Sequence, residues 1–201
     1  MADDDTDDDE IILDDEDDID IEKIAREKLK EVGYDDEKVN MDYRTCKINV
    51  NIVKQSNNIA IGVDEGGAGD QGIMFGYACD ETENLMPYAI DVAHKLAYRL
   101  AEVRKQGIIP YLKSDGKVQV TAEYLNNFPF RIDTILISTQ HDANADMDEL
   151  ENDIIEKVIK PIVESDMIDV DTKFIINPTG QFVVGGAVAD TGLTGRKIIV
   201  D

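Results

Sequence analysis

Tryptophan is absent from this 201-residue chain, cysteine and histidine occur twice each, proline five times, and aromatic residues make up 6%. The scarcity of cysteine, of long apolar runs and of basic residues each removes a class of protein. Cys46 and Cys79 have no CxxC spacing and no neighbouring histidine. They are expected to be two reduced, buried thiols, not a disulfide or a zinc site. No apolar run approaches the roughly 18 to 20 residues that a membrane helix requires. The opening MADDDTDDDE has neither a basic nor an apolar signal region, so a cytoplasmic address is expected. Basic residues are also scarce, 20 against 44 acidic, for a net charge of −24. Sequence-independent nucleic-acid binding draws its affinity from Lys and Arg on phosphates, so no nucleic-acid partner is expected.

What the chain does have is unevenly placed. Fourteen acidic residues and no Lys or Arg precede Lys23. Like charges in a block repel, and residues 1–20 are expected to be a solvated, disordered leader. An EF-hand reading of the Asp run fails because its loop needs a Gly at position six and none occurs before Gly33. From Ile21, apolar residues recur at Ile24, Ala25, Leu29 and Val32, between Asp20 as N-cap and Gly33 as C-cap, which predicts an amphipathic helix. Cys46, Ile48, Val50 and Ile52 then alternate as in a strand.

Residues 54–72 are polar and glycine-rich and predict a long loop or lid. Beyond it the pattern predicts a strand at Ile73–Cys79 and a helix from about Pro87. That helix should bury Ile90, Ala93, Leu96, Ala97 and Leu100 and stop at Gly107. Strands are predicted at Val118–Tyr124 and Arg131–Ser138, and a second helix from Met147 with Leu150, Ile154, Ile155, Val158 and Ile159 inward. Short strands at Lys173–Ile176 and Phe182–Val184 follow, with a last one beginning in KIIVD. The order β-α-β-β-α-β predicts an α+β fold, helices on one face of a mixed or antiparallel sheet, with incomplete domains at both ends.

Single motifs say little. GAGDQG (67–72) has dinucleotide-loop spacing but is followed by a strand-like segment rather than a helix, so a Rossmann site is not expected. It is either a flexible turn or a close backbone approach to a ligand, with Asp70 as a carboxylate for a cationic group. Asp115-Gly116-Lys117 is an ordinary turn by itself. Arg196 and Lys197, adjacent cations behind glycines, suit a polyphosphate. His94 reads as an ordinary helix residue. His141, in ISTQHD, reads as cleft lining and has no nucleophile spaced around it.

Taken in series, DIEKIAREKLKEVGY, GAGDQGIMFGYACDETENLMP, LAEVRKQGIIPYLKSDGKVQVTAEY, ISTQHD, KPIV, FIINPTGQFVVGGA and ADTGLTGRKIIVD resemble the S-adenosylmethionine synthetase (methionine adenosyltransferase) family, in the family's order. The resemblance implies a remnant of the N-terminal domain at 21–57, the central domain at 58–182 and the start of the C-terminal domain at 183–201. It implies attack of methionine sulfur on C5′ of ATP, release of triphosphate and its cleavage to phosphate and pyrophosphate. Mg2+ and K+ are the implied cofactors, their ligands lying outside this sequence. Carried over by position, Gln55, Asp70 and Asp190 would touch methionine. Asp115, Gly116, Lys117, Gln181, Phe182, Asp190, Arg196 and Lys197 would face ATP, and Lys117, Arg196 and Lys197 would neutralise phosphate charge during the reaction. No metal ligand is assigned. Gln181 stands where the family usually has Arg, and Gly185-Gly186-Ala187 where it commonly has GGP. The family's HPDK segment and its C-terminal lysines are not in the sequence, so a partial enzyme is expected, with ATP and L-methionine as ligands. A homodimer or homotetramer, or a complex with a full-length synthetase subunit, is implied. The competing expectations are a non-catalytic regulatory subunit and an acidic-tail interaction protein.

Overall fold

The computed structural model describes residues 19–36, 41–52, 61, 63, 66–68, 73 and 75–190. Helix α1 spans Ile21–Val32, and both of its ends are set by local chemistry. The Asp20 carboxylate accepts the Lys23 N–H at 2.8 Å, and Gly33, at φ +105°, turns its own N–H back to the Leu29 and Lys30 carbonyls. None of its residues is buried, and Ile21, Ile24 and Val32 face solvent. Two-residue strands β1 (Asp35–Asp36) and β2 (Met41–Asp42) pair antiparallel beyond it.

Helix α2 (Tyr88–Lys105) starts at Pro87, which needs no N–H there, and the Tyr88 N–H is accepted by Glu81 Oε2 at 2.8 Å. It ends at Gln106 and Gly107, the latter at φ +67°. Strands β3 (Leu112–Leu125) and β4 (Phe128–His141) form one long hairpin around Asn126 and Asn127, at φ +53° and +67°. Two successive left-handed residues match the right-handed twist of paired strands, and Asn tolerates that conformation better than most residues. Helix α3 (Met147–Ile154) is capped by Asp146, which accepts the Asp148 and Glu149 N–H groups, and passes into a π-helical turn at Ile155–Ile159. Arg99 Nε donates to the Lys157 carbonyl of that turn at 3.0 Å. Strand β5 (Lys173–Ile176) completes the sheet, in the order β3-β4-β5. It lies parallel to β4, a pairing that needs the helical crossover preceding it.

Register decides which face is covered. Val118, Ile137 and Ile176 form one cross-strand row and Val120, Ile135 and Phe174 the next. Both rows meet Leu96, Leu100 and Val103 of α2 and Leu150, Ile154, Val158 and Ile159 of α3 and its π turn. Both helices therefore lie on one face, and alternation sends Lys117, Gln119, Leu136, Ser138 and Ile175 to the other. The α+β class with a mixed sheet is as the sequence predicts.

Three predicted strands are corrected. Described residues at 46–52, at 75–79 and at 182–184 form no strand. Alternation reports which side of a segment is apolar, but a strand exists only with a hydrogen-bonded neighbour. The Cys46 carbonyl instead accepts Arg26 Nη2 at 3.2 Å, and Phe75 stands 94% exposed. Ile90 and Ala97 turn outward, while Asp91 turns inward, where Asn84 at 2.6 Å and Lys95 at 2.7 Å neutralise its burial. The cysteines are free, as expected, but half-buried rather than buried.

Ile137→Ala is expected to cost about 2 to 5 kcal/mol in urea unfolding, whereas Val170→Ala, at a fully exposed position, stays within about 0.5 kcal/mol. A pH dependence follows from Tyr111. Burial, and then its 2.9 Å bond to Asp153, raise its phenol above the ordinary range. The neutral phenol is favoured in the folded state, so its stabilisation is full below the unfolded value of about 10 and fades as pH rises further. The stability advantage over Tyr111→Phe should therefore shrink in denaturation series run above pH 10 or so.

Candidate functional site

After β5 the chain reverses at Asn177. Its N–H donates to the Ile137 carbonyl at 2.9 Å, and its side chain bonds both the N–H and the carbonyl of Thr139, at 2.8 and 3.0 Å. Asn177 itself is left-handed (φ +43°), and the Gly180 N–H closes the turn on its carbonyl. Residues 181–187 are thereby thrown back over the paired ends of β3 and β4.

Side chains from three distant places hold this strap by its backbone. His141, ending β4, accepts the Phe182 N–H on Nε2 at 2.9 Å. Asp115, near the start of β3, accepts the Gly186 N–H at 2.8 Å, and the Tyr34 hydroxyl, just past α1, accepts the Ala187 N–H at 3.0 Å. Gln140 Nε2 donates to the Val183 carbonyl at 3.0 Å. The β3–β4 register is irregular between Leu112 and Gly116. That bulge takes Asp115 out of the ladder, and Gln140 Oε1 meets its orphaned N–H at 3.4 Å. Glycine is required where the strap lands. A Cβ on Gly185 would lie 2.8 Å from the Phe182 ring and 3.0 Å from Asp115 Oδ2, and one on Gly186, at φ +64°, would strike the Tyr34 hydroxyl.

On the side of the sheet away from the helices, Lys117 extends its ammonium over the Phe182 ring, 5.9 Å from the centroid. A cation over an aromatic face is a weak attraction at an exposed site, about 0.5 to 1 kcal/mol. Both groups remain accessible. Together they offer a flat apolar surface beside a positive charge, which suits a planar ring attached to an anionic chain.

The sequence-derived candidates divide into three sets. Asp115, Gly116, Lys117 and Phe182 are brought together. Gly116 faces the other way, toward α2, where Leu100 leaves no room for a side chain. Asp115 is only partly free, because one carboxylate oxygen holds the Gly186 N–H. Gln181 and Asp190 are exposed near the two ends of the strap, and the Asp190 N–H donates to the Gly186 carbonyl at 3.1 Å. Gln55, Asp70, Arg196 and Lys197 lie outside the described residues, as does most of GAGDQG. Sequence reasoning missed Gln140 and Tyr34 and treated His141 as mere lining. The available signal was a polar triplet, Thr139-Gln140-His141, closing β4, together with the Asn-Pro-Thr-Gly turn that follows β5. His94 is exposed on α2. Among the described residues no three carboxylate, imidazole or thiol side chains converge as a metal centre would require, and no helix is long and apolar enough to cross a membrane.

Gly186→Ala is expected to lower stability by about 1 to 3 kcal/mol from backbone strain alone, seen as a drop of several degrees in thermal melting. Adding Tyr34→Phe should not return that loss, because the strain lies in the Gly186 backbone at φ +64° and the Ala187 N–H would lose its acceptor.

Comparison with known families gives one finding that fits this geometry: the family model described as S-adenosylmethionine synthetase, central domain, matches residues 65–182, more than half of the chain.

Proposed function

The chain belongs to the S-adenosylmethionine synthetase family, and from that premise we propose that it takes part in making S-adenosylmethionine from ATP and L-methionine in the cytoplasm. The observation that carries the reading is Lys117 over Phe182 at the mouth of the strap, within the matched central domain or at its edge. Phe182 packs against the adenosine and Lys117 reaches the phosphates. In the reaction, the methionine sulfur lone pair forms a bond to C5′ of ATP as the C5′–O bond breaks, and its electrons leave with the triphosphate. Triphosphate hydrolysis then gives phosphate and pyrophosphate. A positioned ammonium lowers the barrier by offsetting charge that grows on the leaving group. Arg196 and Lys197 serve the same end, Gln181 and Asp190 border the nucleotide, and Gln55, Asp70 and Asp190 bind methionine.

Magnesium and potassium are the family's ions. Among the described residues no three carboxylate, imidazole or thiol side chains converge, and no step here is routed through these ions. What this chain's own described residues supply is the aromatic platform, the phosphate-facing cation and the clamp that holds them in register. The subunit partner is a second copy or a full-length synthetase.

The test is ATP binding by calorimetry with the full chain, coupled to mass spectrometry for S-adenosylmethionine after addition of methionine, magnesium and potassium. Lys117→Ala should weaken ATP roughly 10- to 100-fold, the worth of one charge-assisted hydrogen bond, while adenosine binding changes little. A chain that binds no ATP by itself and leaves the product yield of an added full-length synthetase unchanged would overturn the reading.

A further inference from the structure

We infer that His141 is a positioning residue: its neutral ring, protonated on Nδ1, seats Phe182 and so fixes the platform against which the nucleotide rests, an inference that builds on the ATP site proposed above. The ring is 1% exposed, and each of its nitrogens has one partner of defined polarity. Nδ1 lies 2.8 Å from the Asp142 carbonyl oxygen, which only accepts, so Nδ1 carries the proton. Nε2 lies 2.9 Å from the Phe182 N–H, which only donates, so Nε2 is bare. A ring protonated on Nε2 would set donor against donor at Phe182.

The contact is reciprocal. The His141 N–H donates to the Phe182 carbonyl at 3.0 Å, and the Phe182 N–H returns to the imidazole where a regular antiparallel pair would use the main-chain carbonyl. Phe182 lies in no strand, and with its backbone held this way its ring sits under the Lys117 ammonium, 5.9 Å from the centroid, on the sheet face away from the helices. Gln140 alone does not replace the pin, because its amide holds Val183, one residue further along. His141 touches no candidate ligand position itself and acts through Phe182.

The experiment uses the full chain without ligand, then with ATP. Nitrogen-15 spectra of the histidine ring should show a protonated Nδ1 and an unprotonated Nε2. His141→Ala should raise hydrogen exchange at the Phe182 amide and weaken ATP binding, each by roughly fivefold, the loss of one part-buried hydrogen bond. His141→Gln, whose amide oxygen reaches the Nε2 position, should restore both to within about twofold of the wild type, the residue of difference that a reoriented acceptor leaves. An Nε2-protonated ring overturns the inference, and that reading needs no variant to fold. Unchanged Phe182 exchange in a folded His141→Ala chain overturns it too. If the wild-type chain binds no ATP while the tautomer and exchange results hold, the nucleotide reading fails and the seating of Phe182 by His141 stands.

Discussion

Strand β4 is hydrogen-bonded on both edges, antiparallel to β3 and parallel to β5, and the helices packed on the sheet, α2 and α3, meet the apolar rows which that register sets. A one-residue slip would move Ile135 and Ile137 from the helix-covered face to the open one. It would also carry Ser138 of β4 to the helix-covered face, where its hydroxyl would be desolvated without a partner. The core and the candidate site are thus opposite faces of one register: the apolar rows under the helices hold the sheet in place, and the alternate residues become the open, functional face.

The end of the same strand organises the strap. Backbone at 182–187 lies outside any ladder, so its N–H groups need other acceptors or they weaken the fold. His141, Asp115 and Tyr34 supply them, from the end of β4, the start of β3 and the turn after α1. The last two contacts join segments far apart in the chain, and both fall on backbone just past the matched central domain. Polar satisfaction, not apolar burial, fixes this part of the molecule. That makes it geometrically specific and gives each of the three side chains a role that no local pattern reveals.

Helix boundaries were legible because their causes are local. Asp20, Gly33, Pro87, Gly107 and the stretch from Met147 act within one turn of chain. The hairpin strands were placed correctly but drawn short at both ends: the Asn126-Asn127 turn was not read, and at the far ends the pairing runs on through mostly polar residues 112–117 and 139–141 that carry no apolar alternation. Segments 46–52 and 75–79 show the limit of pattern: an alternating or apolar run describes how a segment could be covered, and whether a neighbour pairs with it is a tertiary matter. Lys117 and Phe182 were named by likeness to a family, not by spacing, and only the fold brings them within 5.9 Å of each other.

By itself the sequence determined the helices, the two long strands, the α+β class and, through its runs of family-like segments, the lineage, because each of these is encoded in short-range chemistry or in residue order. The tertiary structure decided which sheet face is open, that Asp115 braces Gly186 as well as bordering the site, and that His141 is a pin for Phe182 and not idle lining. Those outcomes depend on register and on hydrogen bonds between residues 41 to 153 positions apart, and such separations leave no periodic trace along the chain.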